Sequence, residues 1–103
     1  MSDRRRARRQ PLDVFFNKFL DGQPYLCRAL DISRNGILCS VFTEPATPQQ
    51  AFPIEIRLPG DARSLWLWGR KVRATGRREA IRFIALHDDD RTLLDRYLQT
   101  LAA

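Results

Sequence analysis

The sequence predicts an all-β fold, a six-stranded antiparallel β-barrel with a C-terminal α-helix, and three observations predict it. After residue 10 the chain runs as short apolar stretches separated by turn residues. Helical period is absent until Asp88. Six strands in so short a chain leave sheet edges, which closure into a barrel removes.

The elements follow in order. Pro11 to Phe19 reads as the first strand, closed by Asp21-Gly22 and Pro24, and Tyr25 to Leu30 as the second. "DISRNG" at residues 31–36 then reverses the chain, Asn35-Gly36 being able to take left-handed backbone cheaply, and Ile37 to Phe42 is the third strand. A polar connection with Pro45 and Pro48 leads to Phe52–Leu58, where Ile54, Ile56 and Leu58 alternate with Glu55 and Arg57. Ser64–Thr75 is a long fifth strand with a bulge expected at Gly69; Trp66 and Trp68 on one face read as core or barrel-wall residues and not as a stacking platform for bases. Ala80–Leu86 is the last strand. The helix begins at the Asp88-Asp89-Asp90 triplet, whose charge suits a helix N-terminus, and carries Leu93, Leu94, Tyr97, Leu98 and Leu101 at helical spacing. That stripe must cover an open part of the barrel or meet a partner.

At 103 residues the sequence suggests one domain. Residues 1–10 read as a flexible arginine-rich arm and 11–103 as a single barrel domain, its helix over about 88–101. Apolar residues make up 44% of the chain, enough for a packed core. No apolar run approaches a membrane span, no secretory signal follows the basic start, and the expected location is the cytoplasm. Cys27 and Cys39 lack a CxxC spacing and His87 is the single histidine, so no metal site is expected; in a reducing compartment both cysteines read as buried thiols, nearly opposite each other across the hairpin.

Net charge is +6, and it is uneven: five Arg and one Asp give residues 1–9 a charge of +4, leaving +2 for the rest. Such a field attracts a polyanion. A looser cluster, Arg70, Lys71, Arg73, Arg77, Arg78 and Arg82, follows late in the chain. Catalysis is not expected, because no Ser-His or Cys-His relation is evident, and the Asp run at the helix start is the only grouping of carboxylates.

Arginine presents a planar fork that grips a phosphate or a guanine edge bidentately and stacks on a purine face. Asp31 could accept from the N1-H and exocyclic N2-H of guanine, Ser33 offers a small hydroxyl, and Gly36 leaves backbone open to a flat ligand. Together these suit a guanine nucleotide.

Arg5-Arg6-Ala7-Arg8-Arg9 followed by Asp31-Ile32-Ser33-Arg34-Asn35-Gly36 resembles the RxxxR and [D/N]xSxxG motifs of the PilZ domain family, bacterial receptors for cyclic di-GMP. The arginine run also allows Arg4 and Arg8 as the pair; Pro11 and Leu12 after Arg9 favour Arg5 and Arg9. The "IRFIAL" strand and the acidic-start helix ending in "RYL" carry the resemblance through most of the chain. Gln10, where an apolar residue is frequent in the family, is a departure.

The resemblance implies a barrel whose arginine arm wraps a surface-bound cyclic di-GMP beside the turn. It implies ligand contacts from Arg5, Arg9, Asp31, Ser33 and Gly36, with Arg4, Arg8 and Arg34 secondary, and no cofactor beyond the ligand. Arg4, preceding the first motif arginine, implies a stacked pair of ligand molecules. It implies also a downstream protein partner in motility, secretion or exopolysaccharide synthesis, reached through ordering of the arm. Membrane insertion and nucleic-acid binding are not expected. Two rivals stand beside this reading: a small basic barrel for single-stranded nucleic acid, and a PilZ-like adaptor acting through protein contacts alone.

Overall fold

The computed structural model describes residues 8–102. Its strands are β1 (Gln10–Leu20), β2 (Gln23–Ile32), β3 (Gly36–Val41), β4 (Ala51–Ile56), β5 (Leu65–Thr75) and β6 (Arg78–Leu86), followed by the helix α1 (Asp88–Ala102). They close into an antiparallel barrel in the order β1-β2-β3-β6-β5-β4. The expected fold is therefore the observed one.

Local chemistry sets the register. Asp21 and Gly22 both adopt left-handed backbone, φ 52° and 79°, so Leu20 and Gln23 face each other across a two-residue turn. Every second residue of β1 then faces inward: Leu12, Phe16, Lys18 and Leu20 are buried. β5 shifts register between Trp68 and Gly69, the bulge expected at that glycine. The closing seam is short: β1 meets β4 through Asn17 with Glu55 and Lys18 with Ile54.

The barrel interior is filled by Leu20, Cys27, Ile32, Ile37, Phe52, Ile54 and their neighbours. Its two ends are closed differently. At the end where β1 begins, α1 drops Leu94 into the core, fully buried, with Leu93, Tyr97 and Leu98 packed alongside. The apolar stripe of the helix thus covers an open end, as its spacing required, and Leu101 stays exposed. Asp90 fixes the helix start, accepting hydrogen bonds from Arg63 (3.1 Å) and from the Trp66 amide (3.4 Å).

At the opposite end the plug is ionic. Lys18 is 1% exposed, and its ammonium donates to Glu79 at 2.5 Å and to Glu44 Oε1 at 3.1 Å; Glu44 Oε2, 2.8 Å away, is held by charge alone. The ammonium also lies 4.8 Å from the Phe52 ring centroid, within cation–π range. Glu44 reaches in from the connection between β3 and β4. Burial alone would push the Lys18 pKa down, but the bonds to Glu44 and Glu79 and their charges outweigh it and raise it.

Three expectations are sharpened by the structure. Trp66 and Trp68 are wall residues of the outer face, 46% and 47% exposed, while Leu65 and Leu67 fill the inside. A six-stranded barrel is too narrow for two indoles on one strand. Asn35 and Gly36 do not take left-handed backbone; among the described residues Asp21 is the one non-glycine with positive φ, and Gly36 is absent from the positive-φ glycines. Cys39 pairs with Ala29 and Cys27 with Val41, so the thiols are diagonal neighbours, both buried and unbridged.

Candidate functional site

The turn that joins β2 to β3 is shaped by Ser33. Its amide donates to the Gly36 carbonyl (2.8 Å), and its hydroxyl accepts from the Asn35 and Gly36 amides, 3.2 Å each. Ser33 is buried, so its hydroxyl serves the turn and is not presented outward as the sequence reading expected. Gly36 likewise has a different reason to be glycine. A Cβ there would lie 2.5 Å from the Ile81 carbonyl oxygen, so the missing side chain lets β3 pack against β6.

Asp31 lies at the opposite side of this turn, where β2 shifts register between Ala29 and Asp31 and pairs with Pro11 of β1. That irregularity directs its carboxylate outward toward the start of β1. Arg9, immediately before β1, donates from Nη1 to Asp31 Oδ1 at 2.6 Å; their side chains are 50% and 22% exposed. The root of the arginine run and the turn thus meet at one point on the surface. Arg8 beside it is exposed. Arg4 and Arg5 lie outside the described residues.

Arg34, a candidate ligand contact, is engaged with the helix. Its Nε donates to Asp95 (3.1 Å), and Arg91 donates to the Arg34 carbonyl (2.8 Å). Sequence reasoning missed Arg91 and Asp95; their i,i+4 spacing marks a paired helix face but not its target. It also left open which way the late basic cluster faces. Arg82 stands directly across from Gly36 and Arg70 across from Arg82, both arginines exposed, whereas Lys71 is partly buried 3.7 Å from Glu79. The turn is therefore flanked by positive charge on two sides.

A family model described as PilZ domain matches residues 3–100. The chain belongs to the PilZ domain family. Three solved structures share the fold of this PilZ domain. The PilZ domain of YcgR from Escherichia coli, solved with c-di-GMP, superposes with a TM-score of 0.73 at 20% identity, over 96% of this chain and 92% of that one. The PilZ domain of CeSA from a cellulose-synthesizing bacterium gives a TM-score of 0.70 at 21% identity, over 94% and 100%. An uncharacterized Legionella protein gives 0.61 at 17% identity, over 92% and 94%. No curated protein matches the sequence at a significant level.

Among the described residues of this PilZ domain, no helix is long and apolar enough to cross a membrane. What its site can do follows from its chemistry: an exposed guanidinium and a partly exposed carboxylate hold each other in water, and each keeps hydrogen-bonding capacity to spare, the one as donor and the other as acceptor.

Proposed function

We propose that this PilZ domain is a receptor for cyclic di-GMP, in which Arg5 and Arg9 grip phosphate and guanine and Asp31 reads the guanine N1-H and N2-H edge. The observation that carries the reading is the 2.6 Å contact between Arg9 and Asp31, which joins the two halves of the sequence motif in one place. Family membership supports it, as does the likeness in fold to the YcgR domain solved with c-di-GMP. Ser33 and Gly36 contribute by holding the turn, Arg8 and Arg82 by their positive field.

Asp31 holds Arg9 through one exposed contact. A phosphate competes for the guanidinium and frees the carboxylate for guanine, so the ligand exchanges one weak surface pair for charge-assisted bonds of its own. Ordering of the arm upon binding costs conformational entropy, which those bonds and stacking offset. Arg34 couples the turn to α1 through Asp95 and Arg91, giving the bound state a route to the helix and from there to a partner protein. With Arg4 ahead of Arg5, the reading includes two stacked ligand molecules.

The test is calorimetric titration with cyclic di-GMP, cyclic di-AMP and GTP on the wild type and on Arg5→Ala, Arg9→Ala and Asp31→Ala. Preference for cyclic di-GMP, a stoichiometry of two, and a loss of at least about tenfold in each variant are expected. Equal affinity for the three nucleotides, or full affinity in the variants, would falsify the assignment.

A further inference from the structure

Away from this site, the outer wall centred on β1 is apolar. Phe15, Leu26 and Phe42 are 58%, 48% and 45% exposed, and the Phe15 and Phe42 rings lie 6.0 Å apart between centroids. The register carries the band onward. Asn17 stands between Leu26 and Glu55, and Glu55 faces Trp66; Phe19 reaches the Trp66 ring at 5.6 Å, and Pro53 faces Trp68. One belt therefore runs from the end of β3 across β2, β1 and β4 to β5.

We propose that this belt is an interface on which a second copy of the chain docks. Area is the first argument. Half-exposed, the five side chains Phe15, Leu26, Phe42, Trp66 and Trp68 leave roughly 500 Å2 of apolar surface in water, toward the upper end of the patches that monomers carry. A standard interface takes about 800 Å2 from each partner, a little over half of it apolar, so the belt supplies the apolar share of one such contact.

Charge selects the occupant. Within the belt Arg28, directly across from Phe15, is paired with Asp13 at 2.8 Å; the other carboxylates there are Glu55, partly buried, and Asp90, buried and held by Arg63. Among the described residues the outward positive charge gathers beyond the β5 edge of the belt, on Arg70, Arg73, Arg78 and Arg82. An acidic partner or a polyanion is drawn there and away from the belt. A second copy, itself carrying +6, must avoid that region, and the near-neutral belt is where two such copies meet with least repulsion.

Shape adds a third argument. The belt rises at Phe15, and it is recessed where Pro53, Trp66, Trp68, Ala85 and His87 line a hollow of about 370 Å3. Both parts belong to one chain, as a two-fold contact between identical surfaces requires.

Sedimentation velocity of the full chain, from low to high micromolar concentration, tests this. A mass rising from the 12.0 kDa monomer to twice that value is expected. Phe15→Glu and Trp66→Glu should each weaken the dimer at least about tenfold, while Arg96→Ala on the helix leaves it unchanged. Both sites are exposed, so unchanged melting temperatures and unchanged cyclic di-GMP titrations in the variants separate a lost interface from a lost fold or a lost ligand site. A wild type that stays monomeric throughout, or a dimer indifferent to both substitutions, overturns the proposal.

Discussion

Two ion pairs bracket strand β1, and they could hardly differ more. At its start Arg9 and Asp31 meet in water, half and one-fifth exposed; near its end Lys18 and Glu79 meet inside the barrel, 1% and 5% exposed. A surface pair contributes between zero and about 1 kcal/mol, because water and salt screen it and side-chain entropy opposes it. A buried pair is different: separating its members leaves a charge without water or partner, at a cost of about 3–5 kcal/mol. The exposed pair can therefore be given up to a ligand at little cost, whereas the buried one cannot be opened while the barrel stands.

The contrast is broken most severely at Lys18. Lys18→Met takes the buried ammonium from Glu44 and leaves Glu79 only the longer contact to Lys71, and urea unfolding should show a loss of about 3–5 kcal/mol. Gly36→Ala is next. Its new Cβ meets the Ile81 backbone oxygen, which no rotamer change relieves, and thermal melts should report about 1–3 kcal/mol of destabilisation. Arg9→Ala sharpens the comparison from the other side: stability should change by less than about 1 kcal/mol while cyclic di-GMP affinity falls.

A pH series separates the pairs further. The folded-state pKa of Lys18 lies above its ordinary value of 10.5, so its contribution is complete below that value and is lost as pH climbs through the higher folded one. Stability measured by urea should therefore hold up to about pH 10 and decline above it, with the decline reduced in Lys18→Met. The smallest effect concerns the thiols. The hydrogen bond with Cys27, and then burial, push the Cys39 pKa far up, which keeps the sulfur protonated. A thiol reagent should leave both cysteines untouched in the folded protein and titrate two in denaturant.

How much of this was legible in the sequence depended on how local its cause was. The Asp21-Gly22 turn, the Gly69 bulge, the helix start at Asp88 and the six strands follow from residues within a few positions of each other, and the structure has them all. Facing was harder. In Phe15-Phe16-Asn17-Lys18-Phe19 and in Leu65-Trp66-Leu67-Trp68 both faces carry apolar side chains, so alternation alone does not say which one turns inward. Lys18 goes inside only because Glu79, 61 residues later, is there to meet it. At the site, the motif brought Arg9 and Asp31 together on paper, and the structure describes that contact. The grip of Arg91 and Asp95 on Arg34 exists only after the helix has folded back, and no spacing within the sequence announces it.

The short closure between β1 and β4 gives Lys18 a second duty. Its backbone forms one of the two rungs there, directly across from Ile54, while its side chain holds the charge network within. Any parting of these two staves would let water reach an ammonium and two carboxylates that were set in place dry, so the lysine acts as the hoop at the narrowest join of the cask. Amide exchange at Asn17 and Lys18 should then slow to the pace of whole-molecule unfolding, although so few rungs guard that join.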